Sequence, residues 1–210
     1  MQTNLYKGLE LFFLFILLPV SFLLNYPILF KIIFTVIGFV YILLLLKRMG
    51  LLKLKFPNKE YWKPFWKELM IKLAIIVVIT GLYVFFVAPD KLFSVLIKRP
   101  ELWIMILFIY TFLSVWPQEI IYRTFFYERY EKLITNKWLF IFVNAVLFSL
   151  AHLFLKSFLV QLLTFIGGLL FAYTYQKTKS TTLVSVEHAI YGNWLFTVGM
   201  GEMLAFPGVD

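Results

Sequence analysis

Ser114 to Phe126 reads SVWPQEIIYRTFF, which sets Glu119 and Arg123 four residues apart inside an apolar run, directly after Pro117. An ionisable side chain at mid-bilayer costs at least about 2.5–3.5 kcal/mol, so an acid and a base in such a run are either held or used. The run is typical of its surroundings. Of 210 residues 62% are hydrophobic, 20% are aromatic and only 15% are charged, whereas soluble domains carry about 25% charged residues. A hydrocarbon core of about 30 Å takes about 20 apolar residues per spanning helix, so this length holds spans and little else. Composition therefore implies an all-α polytopic membrane protein and excludes a separate soluble domain.

Seven apolar stretches are readable, at roughly 8–24, 28–46, 71–88, 102–127, 138–155, 158–176 and 183–201, the fourth long and interrupted by Pro117. They predict about seven transmembrane helices. The first run lacks a small-residue cleavage signature and reads as a retained helix. The expected organisation is 1–101 as N-terminal helices with a basic interfacial linker, 102–201 as a core, and 202–210 as a short tail. From Lys47 to Lys72 the linker supplies eight basic residues against Glu60 and Glu68. Within it Tyr61, Trp62, Phe65 and Trp66 alternate with Lys63 and Lys67, the mix expected of a helix lying in the headgroup layer.

The net charge of +9 falls between the apolar segments. That distribution fits anionic lipid headgroups and sets nucleic acid aside as a partner. With the N-terminus inside, fifteen Lys and Arg lie on the cytoplasmic side against four outside, which predicts a cytoplasmic N-terminus and an external C-terminus. The absence of Cys excludes disulfides, thiolate metal sites and a Cys nucleophile. Paired short broken helices, the mark of many secondary transporters, are not evident.

With Glu10 and Lys72 set aside at span edges, few ionisable residues interrupt the spans: Lys31, Glu119, Arg123, His152, Glu187 and His188, which include both histidines of the chain. Lys31 is close enough to a span end to snorkel. If 102–134 and 138–155 form a hairpin turning at Thr135-Asn136, Glu119 and His152 each lie sixteen residues from the turn, about 24 Å away at a helical rise of about 1.5 Å. His188 is eight residues beyond Ser180, hence about 12 Å below the cytoplasmic surface by the same rise. The spacing thus predicts a polar intramembrane cavity ringed by the fourth, fifth and seventh helices. Glu119 and Arg123 form an acid-first i,i+4 pair, Gln118 is rotated by about 100° from Glu119, and Phe148 and His152 repeat the i,i+4 spacing. Pro117 leaves a backbone carbonyl unbonded one turn earlier.

Blander readings exist for each residue: a buried ion pair that fixes packing for Glu119 and Arg123, a hydrogen-bonded core histidine for His152, interface polarity for Glu187 and His188, and close helix contact for Gly167-Gly168. The conjunction favours chemistry, because one Glu with two His is a set able to activate water. A metal version would use His152, His188 and Glu119 as three ligands with an open fourth position. The HExxH spacing is absent, so the expectation is no cofactor, with a divalent ion such as Zn as the second version.

QEIIYR (118–123), FSLAH (148–152) and HAIYGN (188–193) resemble, in order, the three motifs of the CAAX-protease and bacteriocin-processing (CPBP, or Abi) family: Glu-Glu-x-x-x-Arg, Phe-x-x-x-His and His-x-x-x-Asn. The resemblance covers roughly 102–201 and implies an intramembrane endopeptidase acting on a membrane-associated protein or peptide. It places Glu119, Arg123, Phe148, His152 and His188 on motif positions. It further implies that a Glu with a His activates the attacking water and that the third-motif His and Asn steady the oxyanion. Two departures stand out. Gln118 occupies the first Glu position, and the residue four after His188 is Gly192, with Asn193 one further on. The rival implied by Gln118 is a non-catalytic relative serving bacteriocin self-immunity or partner binding.

Overall fold

The computed structural model describes residues 3–52 and 57–201, and among these every regular element is helical. The main helices are α1 (Asn4–Ser21), α2 (Ile28–Arg48), α3 (Lys59–Val87), the short α4 (Ser94–Lys98), α5 (Pro100–Tyr130), α6 (Lys137–Leu150), α7 (Phe158–Thr178) and α8 (Thr181–Val198). Six of the described helices are long and apolar enough to cross a membrane: α1, α2, α3, α5, α6 with the turn that follows it, and α7. The seventh apolar stretch forms α8, whose eighteen residues extend about 27 Å. Nine of those residues are buried, Glu187 and His188 among them, so α8 has less need of an apolar exterior. The protein is a multi-pass membrane protein. Lipid contact is legible on α2, where Ile28, Phe30, Ile33, Val36, Ile37 and Val40 are all exposed. The expected tail 202–210 lies outside the described residues.

The aromatic, lysine-rich stretch 61–67 is not a separate helix in the headgroup layer. It forms the opening turns of α3, which runs unbroken for 29 residues. That is about 43 Å, enough for the hydrocarbon together with the interfacial zones.

Contacts divide the chain into two compact units that interleave in sequence: Met1–Lys55 with Ile120–Lys179, and Phe56–Glu119 with Ser180–Asp210. In the first unit Phe15 is the hub of an aromatic core, with ring centroids 5.2–6.4 Å from those of Tyr122, Phe125, Phe126 and Tyr130. Asn136 caps α6 through two backbone N–H groups, and Ser157 caps α7. The two helices approach closely at Gly168: a Cβ there would lie 2.9 Å from the Ala145 Cα. The expected close-packing role of the glycine pair is thus met at Gly168.

Arg129 is one of the fifteen Lys and Arg counted on the cytoplasmic side, yet its side chain is withdrawn from solvent. It is buried, and its Nε and Nη2 donate to the two Glu10 carboxylate oxygens at 2.6 and 2.9 Å. Tyr130 and Tyr41 complete the carboxylate's bonding at 2.8 and 2.7 Å. A charge carried into the interior by a neighbouring apolar run is stable only when so paired.

In the second unit α8 starts at an N-cap, Ser180, and stops at Gly199, whose φ of 108° favours glycine. Val95, Ile106 and Phe196 form its small apolar core. The indole N–H groups of Trp103 and Trp194 donate to Thr197 and Thr80. Lys72 on α3 reaches Glu187 on α8 at 2.9 Å, and the Tyr191 hydroxyl donates to the same carboxylate oxygen.

Candidate functional site

The π-helical turns Tyr110–Val115 and Ile120–Phe125 flank the short α-helical piece Trp116–Glu119 that holds Pro117. Proline donates no N–H and its ring collides with the carbonyl four residues back. The wider i→i+5 ladder before it absorbs both defects, and such bulges recur at functional sites. Widening also re-aims side chains. Residues spaced by four across these turns no longer share a face as they would in an ideal helix.

In the second unit this aims Glu119 at α8. Glu119 is fully buried, and its Oε1 lies 2.7 Å from His188 Nδ1, within the range of charge-assisted bonds. A carboxylate oxygen accepts, so the ring tautomer that suits this bond carries its proton on Nδ1 and donates from there. His188 is eight residues beyond the Ser180 cap on an unbroken helix, as the spacing predicted. Gln118 turns away from this bond: its Nε2 donates to Ser114 Oγ at 2.8 Å. Asn193 donates from Nδ2 to Thr111 Oγ1 at 3.1 Å. The carbonyl oxygens of both carboxamides are buried without a hydrogen-bond partner among the described residues, as is Glu187 Oε2.

Gly192 does not interrupt α8. The helix continues through it to Val198. The glycine instead admits the ring of Tyr110, which meets His188 edge-on at 5.9 Å.

The first unit holds the other motif residues. Arg123 is fully buried, and its Nη1 donates to Asn144 Oδ1 at 2.6 Å while Asn144 Nδ2 donates to the Tyr122 carbonyl. The Phe148 and Phe171 rings lie 5.0 and 5.9 Å from the guanidinium carbon, a cation–π cradle in place of water. His152 is not on α6, as its i,i+4 spacing from Phe148 suggested. The helix ends at Leu150, and His152 follows in a turn before the 3₁₀ segment Leu153–Leu155. Its Nδ1 still bonds the Phe148 carbonyl at 2.8 Å, which fixes the same tautomer as in His188. Four partners escaped the sequence reading: Tyr110, Asn144, Glu10 and Lys72. Asn144 did leave a signal, as a lone carboxamide in the apolar run KWLFIFVNAVLFSL. Among the described residues no group of three or more His, Asp or Glu is arranged to hold a metal ion.

No curated protein and no solved structure matches the chain. A family match does exist, and it spans all three motifs. Over residues 100–194, the segment that carries QEIIYR, FSLAH and HAIYGN, the chain matches the family described as type II CAAX prenyl endopeptidase, Rce1-like.

Proposed function

We propose that the protein is an intramembrane endopeptidase that hydrolyses a peptide bond in a membrane-associated protein or peptide, using a water activated by Glu119. The observation that carries the reading is the buried Glu119–His188 hydrogen bond within the matched segment. The ionised Glu119 takes a proton from water as the water oxygen bonds to the scissile carbonyl carbon. The carbonyl π pair moves onto its oxygen. Collapse of that oxyanion breaks the C–N bond, and the proton on Glu119 passes to the departing nitrogen, leaving a carboxylic acid, which keeps the second water proton, and an amine. The Nδ1–H of His188 orients the carboxylate. His152 is proposed as a further catalytic group on the strength of its motif, and no metal takes part in the step. The printed family name makes a prenylated CAAX sequence the first substrate class to try.

In proteoliposomes, a quenched fluorogenic farnesylated CAAX peptide and its unmodified form should separate substrate classes. His188→Ala and His152→Ala are expected to lower kcat by roughly 10²-fold or more at unchanged abundance, and a chelator is expected to leave the wild-type rate intact. Undiminished cleavage in both variants would remove the mechanism.

Orientation belongs to the same proposal. Arg123 and Arg129 are buried, so they leave the cytoplasmic count, which falls from fifteen to thirteen against four. That bias still orients the N-terminus to the cytoplasm. Reporter fusions after Lys55 and Lys179 should read cytoplasmic and one after Asp210 external; a cytoplasmic reading at Asp210 would refute the seven-span arrangement.

Gln118 favours one second reading, a non-catalytic partner-binding or self-immunity protein. A carboxamide on the position of the first motif Glu does not take up a proton as a carboxylate does. That reading expects no cleavage in any variant and a protective or binding phenotype that survives loss of Glu119.

A further inference from the structure

Position 192 lies four residues after His188, on the same face of α8. It is a glycine, and the space its side chain would fill is occupied. A Cβ built there would lie 2.1 Å from the Tyr110 hydroxyl oxygen and 2.3 Å from two carbons of the same ring. Side chain 192 and phenol 110 are thus mutually exclusive, and this chain has the phenol. The ring is held edge-on by His188 at 5.9 Å and by Phe196 at 4.9 Å. Its hydroxyl makes no hydrogen bond among the described residues. Tyr110 is partly buried, and a donor left uncommitted beside a carboxylate–imidazole pair is available to an acceptor that arrives there.

We propose that Tyr110 is a catalytic residue of the hydrolysis proposed above: its O–H donates to the oxygen that gains the electron pair when water adds to the scissile carbonyl. No proton is transferred; the phenol keeps its hydrogen and stabilises the oxyanion until the C–N bond breaks. The carboxamide of Asn193 is engaged elsewhere, with Thr111. The π-helical turn that begins at Tyr110 sets the phenol against the face of α8 that carries His188. The inference rests on the protease reading and adds to it a residue that lies in none of the three motifs.

The test is Tyr110→Phe in the full-length protein in proteoliposomes, with the farnesylated CAAX peptide and its unmodified form as probes. The change removes one oxygen and keeps both ring contacts. The expected result is a kcat lower by roughly 10²–10³, the loss typical of one oxyanion donor, with KM altered by no more than about twofold. A purely structural tyrosine predicts the opposite split, with Tyr110→Ala harmful and Tyr110→Phe silent. The pair Tyr110→Ala with Gly192→Asn places a carboxamide in the vacated space, and should recover at least about tenfold over Tyr110→Ala alone. Wild-type kcat in Tyr110→Phe, beside an inactive Glu119→Gln, overturns the role of Tyr110 and leaves the protease reading standing. A folded wild type that cleaves neither probe overturns both.

Discussion

Glu119→Gln is expected to abolish cleavage while the protein remains folded at its normal level in the membrane. The two side chains have nearly the same volume, and the amide oxygen still accepts from His188 Nδ1–H at the site of the present 2.7 Å bond. The amide does not accept and return a proton, so the water loses its base. General-base assistance is worth roughly 10²–10⁴-fold, about 2.7–5.4 kcal/mol of barrier. The companion change Gln118→Glu should keep the activity or raise it. The Ser114 hydroxyl, now accepting from Gln118 Nε2, would turn to donate to the new carboxylate. Purified variants assayed against the fluorogenic peptides, with abundance read by immunoblot, decide the matter. Full-rate cleavage by Glu119→Gln would reduce the acid in SVWPQEIIYRTFF to a structural clasp.

Glu10→Leu should be the most damaging single change to stability, by about 3–5 kcal/mol, because it strands a buried guanidinium. The Glu10 carboxylate now takes two bonds at each oxygen: Oε1 from Arg129 Nε and Tyr130, Oε2 from Arg129 Nη2 and Tyr41. Removing it leaves Arg129 and two hydroxyls without their acceptor. The double change Glu10→Leu with Arg129→Met removes both charges and should recover most of the loss, since apolar replacements of a whole buried pair are often neutral or stabilising. Unfolding in detergent micelles, followed by circular dichroism, gives the cycle. A loss below about 1 kcal/mol for Glu10→Leu alone would mean that water reaches the pair.

The match between the sequence reading and the structure follows from which forces are local. Spans are legible because hydrocarbon demands about 20 apolar residues with internally bonded backbone wherever the chain crosses, whatever the neighbours. The motif residues were legible because an ionisable group in such a run needs a reason, and Glu119 and His188 do meet. Gly168 was readable as a contact because only a missing Cβ lets backbones come so close.

Partner choice was another matter. Glu119 and Arg123 look like a simple i,i+4 pair, yet Arg123 sits within the π-helical turn Ile120–Phe125 that follows Glu119 and is cradled by Asn144, Phe148 and Phe171. Arg129 counted as a loop charge until Glu10, 119 residues earlier in the chain, proved to hold it. His152 seemed helical until α6 ended two residues short of it. The vacancy at Gly192 acquired a meaning only from Tyr110, 82 residues away in sequence. By itself the sequence determined an all-helical membrane protein in which Glu119 and His188 stand out as ionisable residues inside apolar runs, since rise per residue and hydropathy are properties of a local chain. Tertiary structure alone decided which donor meets which acceptor. A one-residue widening of a turn rotates every later side chain, and only the packing of distant helices selects where that widening falls.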